Sequence, residues 1–209
     1  MNEEVFDVVN DRDEVIGQQP RSIVHRDGLK HRAVHVLVFN PKGELFLQKR
    51  SIKKDCFPGT WDSSASGHLD VGEDYDACAF RELREELGWI HQGPMERLFK
   101  IDACKETGME FVWIYRIIAE GPFVLHPEEI ECGGWFSPEN ITRWLKERPQ
   151  DFAGAVPLIW KKLNACNGSA AIYVRINKST FALAKGLKQS LDLLRVPPHM
   201  VEGPEQGAA

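Results

Sequence analysis

Cysteine is scarce. The chain has five, Cys56, Cys78, Cys104, Cys132 and Cys166, widely spaced and without a CxxC pair. An odd, scattered set suits neither a disulfide framework nor a thiolate zinc site, and fits reduced thiols. Long hydrophobic runs are missing too. The longest, FVWIYRII, is broken by Arg116 and is far too short to span a bilayer. There is no basic excess: the formal net charge is -5, which lacks the electrostatic footprint of a nucleic-acid binder. The opening MNEEVFDVVNDRDE is acidic where a signal peptide is basic and then apolar. A cytoplasmic protein that binds neither membrane nor nucleic acid is therefore expected. No internal repeat is visible. What the chain has is a hydrophobic content of 43%, enough for one sizeable core. The expected organisation is one domain over residues 1–165, hairpin 1–29 included. Residues 166–209 then form a C-terminal extension that covers the site or builds a homodimer.

Local chemistry sets the elements. Residues 4–9 and 14–17 flank the polar NDRD and read as a hairpin. Residues 33–39, AVHVLVF, are a β-branched run expected as a buried strand, and Asn40-Pro-Lys-Gly43 has type I turn chemistry. Residues 44–49 alternate Leu45 and Leu47 against polar neighbours, as a paired strand does. Residues 53–66, with Pro58-Gly59, read as loop. A helix over residues 74–87 ends at Gly88, a C-terminal cap. Further strands are expected over residues 95–101 and 110–118. Ser137 and Pro138 are an N-cap and first-turn proline for a helix to about residue 146, and residues 157–164 suggest another. Beyond Cys166, YVRI suggests a strand and residues 180–195 a helix before a frayed end. Strands interleaved with helices imply a layered α/β sandwich.

The densest acid lies in GHLDVGEDYDACAFRELREELGW, residues 67–89. On a helix, Glu82, Glu85 and Glu86 share one face, because positions three and four apart are neighbours. Their repulsion destabilises an isolated helix unless something offsets it. Ala79, Leu83 and Leu87 lie on a different, apolar face that can pack on a sheet. A hard divalent cation takes oxygen ligands, relieves the repulsion and keeps the carboxylates ionised. Arg81 can fix one carboxylate by a bidentate pair. Taken alone, such a helix is more often a solvated face laced with Arg81 and Arg84. The spacing decides between the two. Gly67, five residues, Glu73, seven residues, then Arg81-Glu82-Leu83-Arg84-Glu85-Glu86-Leu87-Gly88-Trp89 resembles the Nudix signature GX5EX7REUXEEXGU at every fixed position.

That resemblance implies an α/β/α Nudix sandwich with a mixed sheet, here with an N-terminal β-hairpin. It also implies hydrolysis of a nucleoside diphosphate derivative or another small organic diphosphate with Mg²⁺ or Mn²⁺. Glu82, Glu85 and Glu86 match metal ligands, joined by the Gly67 carbonyl. Arg81 and Glu73 match supports that orient them. The chemistry is phosphoryl transfer to water, for which one glutamate must accept the water's proton. Glu82, Glu128 and Glu129 are the candidates, the last two also readable as a solvated acidic loop. Arg50 and Lys54 are candidate diphosphate contacts. Trp61 and Trp135 read as core rather than base-stacking surfaces.

Outside the signature, from about Glu4 to Trp144, the chain resembles the branch that includes isopentenyl-diphosphate isomerase. His25, His31, His68 and Glu110 stand at or near four isomerase metal ligands, although the first two histidines are spaced one residue differently. A histidine beside a strand is more often a structural hydrogen-bonding residue than a ligand. His68, next to Gly67, is also a candidate substrate contact. The departures favour hydrolysis. Ser66 stands where the isomerase has its catalytic cysteine, and a hydroxyl is a far weaker acid than a thiol. Gly108 replaces a further metal glutamate, and the signature helix, degenerate in the isomerase, is complete here.

Overall fold

The computed structural model describes residues 3–166. The YVRI strand, the helix over residues 180–195 and the C-terminal end lie outside the described residues. Chain order begins with the expected hairpin, β1 (Val5–Val9) and β2 (Val15–Pro20), paired antiparallel. Its turn is built by Asn10, whose side-chain oxygen accepts from the Arg12 and Glu14 amides at 2.8 and 3.1 Å. A short helix not read from the sequence follows, α1 (Arg21–Asp27), ended by Gly28 in the left-handed conformation.

The core is a mixed sheet. β3 (His31–Phe39) and β4 (Leu45–Arg50) are joined by the Asn40–Gly43 turn, where the Gly43 amide donates to the Asn40 carbonyl at 2.9 Å. Residues 53–66 are loop only to Thr60, because β5 (Trp61–Asp62) pairs with β4 and β6 (Ala65–His68) pairs with β3. Such short Ser- and Gly-rich pieces carry little strand signal of their own and are made strands by their neighbours. After α2 (Tyr75–Leu87) come β7 (Glu96–Ile101), β8 (Glu110–Ile118) and β9 (Ile130–Phe136), then α3 (Pro138–Glu147) and α4 (Val156–Cys166). The main strand order is β5-β4-β3-β8-β7, with β9 on β4 and β6 on β3. β3 and β8 run parallel, the other pairs antiparallel.

Both faces of the sheet are buried, which is why β3 reads as a nearly continuous apolar run. Val34, Val36 and Val38 pack with Cys78, Ala79, Leu83 and Leu87 of α2. Ala33, Leu37 and Phe39 face Ile141 of α3 and Ile159, Trp160 and Leu163 of α4. The result is the expected α/β/α layering. Trp61 and Trp135 pack against these two clusters, as the core reading required. The hairpin and α1 make a third cluster, Phe6, Val8 and Val24, and the hairpin is tied to the rest through Asp13. Asp13 Oδ1 accepts from Arg32 at 2.6 Å, and its Oδ2 accepts from Tyr75 at 2.8 Å and from Lys100.

Candidate active site

α2 begins at an Asp74 cap, whose side chain accepts from the Ala77 amide at 2.8 Å. Its apolar stripe fixes the helix rotation, and that rotation turns Glu82 and Glu86 toward β6 and β4. They are buried rather than solvated, while Glu85 is half exposed. Glu86 Oε2 accepts from Gln48 Nε2 at 2.8 Å and from the Ser66 amide at 2.9 Å. Glu82 lies directly against Gly67. A Cβ at that glycine would meet Glu82 Oε1 at 2.0 Å, so only glycine admits the carboxylate there.

Arg81 braces the group. Its Nε and Nη2 donate to the two Glu73 oxygens at 3.0 and 2.8 Å, and Nη2 also reaches the His68 carbonyl at 2.8 Å. Nη1 donates to Glu82 at 2.6 Å and to Glu85 at 3.3 Å. Burial raises Glu73's pKa, but the Arg81 fork outweighs it and holds the carboxyl below its ordinary value. Glu82 goes the other way: burial outweighs Arg81 and pushes it up to about 7. Glu86 is raised well above the carboxylate range by burial and then by Glu82 beside it. Two buried carboxylates that resist ionisation together, one packed on the bare Gly67 backbone and the other on the Ser66 amide, make a cradle that a divalent cation fits.

A cavity of about 860 Å³ opens over this cluster. Arg50, Lys54, His68 and Glu129 line it with the helix glutamates and Gly67. Glu128 lies outside the lining, paired with Lys53 at 2.8 Å, whereas Glu129 pairs with Lys54 inside it. The site also draws on residues the sequence did not flag: Phe6, Arg21, Gln48 and Asp62. Gln48 had a legible signal, since it alternates with Arg50 on one face of β4.

The histidines converge as well. The ring nitrogens of His25, His31 and His68 lie within 4.8 Å of one another. His68 Nε2 is 2.9 Å from Glu110 Oε1, and His31 Nε2 is 3.5 Å from the same oxygen. Nε2 of His25 and of His31 is buried without a hydrogen-bond partner. Phe6 covers the cluster, 4.6 Å from the His68 ring and stacked on His31. Burial, then His68 and His31, lower His25 to about 4. Burial raises Glu110, but the His31 and His68 imidazoles outweigh it and hold the carboxyl below its ordinary value. Imidazole and carboxylate donors so placed can also hold a metal. Among the described residues no helix is long and apolar enough to cross a membrane.

Residues 29–157 match the NUDIX domain family. An uncharacterized Nudix hydrolase from Yersinia pestis is 33% identical over 160 residues, covering 74% of this chain and 85% of the relative. The uncharacterized Nudix hydrolase YfcD of Escherichia coli K12 is 32% identical over 169 residues, covering 78% and 90%. The crystal structure of DR0079 from Deinococcus radiodurans superposes with a TM-score of 0.66 at 27% identity, covering 76% of this chain and 98% of that one.

Proposed function

The chain belongs to the Nudix family of hydrolases that act on diphosphate bonds, and from that premise we propose a metal-dependent enzyme cleaving a nucleoside diphosphate derivative or another small organic diphosphate. The observation that carries the reading is the buried pair Glu82 and Glu86, the first against Gly67 and the second on the Ser66 amide. Gly67, Glu82, Glu85 and Glu86 would hold Mg²⁺ or Mn²⁺. Bound there, the cation supplies charge neutralisation at the phosphate oxygens and makes water more acidic. Arg81 and Glu73 keep Glu82 and Glu85 in place. Arg50, Lys54 and His68 receive the diphosphate. Glu129, on the cavity wall beside Lys54, is the favoured acceptor of the water's proton. Glu128 lies outside the cavity lining and is not favoured.

Residues 1–165 act as one unit, since the hairpin supplies Phe6 to the cavity wall. Residues 166–209 are an extension that serves a homodimer, and the expected location is the cytoplasm. Isopentenyl-diphosphate isomerase is the second reading, favoured by the gathering of His25, His31, His68 and Glu110. Ser66 in place of a thiol disfavours it. The test is a panel of diphosphates incubated with Mg²⁺ or Mn²⁺, with phosphate release followed and products identified. Metal-dependent cleavage of any member supports the proposal; double-bond migration in isopentenyl diphosphate with no cleavage of any diphosphate overturns it.

A further inference from the structure

Four basic side chains on or beside the cavity are each paired with a carboxylate: Arg21 with Asp55, Lys53 with Glu128, Lys54 with Glu129, and Arg50 with Asp62. Three of those carboxylates are open to water, with side chains 56%, 65% and 36% exposed. Asp62 is 4% exposed. Ion pairs with an exposed, singly held carboxylate contribute little, so Lys53 and Lys54 can leave their partners for a ligand at small cost. Arg50 cannot.

Asp62 is itself held on both oxygens. Its Oδ1 accepts from the Ser63 amide at 2.7 Å and lies 3.6 Å from His35 Nδ1, while His35 Nδ1 and Ser63 Oγ are 2.7 Å apart. Its Oδ2 accepts from Arg50 Nη1 at 3.0 Å, and Arg50 Nε donates to the Cys56 carbonyl at 3.1 Å. Guanidinium has five donors, so most remain, and among the described residues they have no partner. Gln48 and Arg50 share one face of β4, and Gln48 grips Glu86. Arg50 and Glu86 both line the cavity, so the guanidinium's unused donors belong to a wall that includes the Glu86 carboxylate.

We propose that Asp62 is a positioning residue: it holds Arg50 toward the diphosphate and away from Glu86. The proposal rests on the reading of Arg50 as a diphosphate contact. A rival effect has the opposite sign. If Asp62 acted only as a negative charge near an anion, removing it would tighten binding. If it positions Arg50, removing it lets the guanidinium turn to Glu86, and binding weakens.

The probe is methylenediphosphonate, which cannot be hydrolysed, titrated calorimetrically in Mg²⁺ against wild type, Asp62→Asn, Arg50→Ala and the double variant. Asp62→Asn is expected to weaken Kd about tenfold, a coupling of ordinary size for residues in contact. The double variant should bind no more weakly than Arg50→Ala alone, since Asp62 acts through Arg50. Additive losses, as from a general structural role, would overturn the proposal, and so would tighter binding by Asp62→Asn. If thermal melting shows Asp62→Asn unfolded, Asp62→Ser replaces it in the cycle. A wild type that does not bind the probe overturns the proposal at its premise. Turnover in the diphosphate panel then shows whether the hydrolase reading falls with it.

Discussion

Replacing Glu82 with glutamine should stabilise the metal-free protein at alkaline pH and leave it unchanged at acid pH. Burial raises the Glu82 carboxyl from 4.5 to about 7 in the folded chain. Its unfolded counterpart ionises near the lower value. Between the two, the folded state holds a proton that the unfolded state has released, so stability falls as pH rises. The full loss, reached above pH 7, is about 3 kcal/mol. Glutamine has nothing to ionise and escapes that loss. For a domain of this size, that corresponds to roughly 6–12 °C in melting temperature. The wild-type profile alone is a poor readout, because His25, held down to about 4, makes stability rise with pH over the range up to 6.5. The difference between Glu82→Gln and wild type cancels that contribution. The assay is thermal unfolding by circular dichroism in chelator from pH 5 to 8.5. A difference that stays flat across that range would mean Glu82 is not buried as an acid, and the cradle argument would fail. With Mg²⁺ in excess, wild type should recover the stability and Glu82→Gln should not.

Other perturbations separate the roles of neighbouring groups. Glu86→Gln should keep the fold, since glutamine can still meet Gln48 and Ser66, while kcat/KM drops by about two orders of magnitude or more in a steady-state assay. Arg81→Ala should cost about 3 kcal/mol in urea unfolding, because it strands the Glu73 and Glu82 carboxylates together; a cost under about 1 kcal/mol would show that the brace is dispensable. Asp13→Ala removes one acceptor shared by Arg32, Tyr75 and Lys100, and should lower stability by about 2 kcal/mol while freeing the hairpin to faster amide exchange.

The signature segment was legible because its chemistry and its spacing coincide: acids one turn apart, an arginine in front, a glycine cap behind. The β3–β4 hairpin was equally plain from its turn residues. The helix α1 went unread because seven residues hold too little periodicity, although Pro20 before it and Gly28 after it mark both ends. β5 and β6 are strands only through their pairing with β4 and β3, which no local pattern declares. The burial of Glu82 and Glu86 was hidden for a related reason. Helical spacing says that they share a face, but only the packing of α2 on the sheet says that this face meets β6. Phe6, Arg21 and Asp62 reach the cavity from separate elements, so their meeting is a property of the fold.

The most direct test is ³¹P NMR of the diphosphate panel incubated with the protein, in Mg²⁺ or Mn²⁺ and again in excess chelator. New monophosphate resonances are expected with the metal and none with chelator. Cleavage that continues undiminished in chelator would contradict the metal site built from Gly67, Glu82, Glu85 and Glu86.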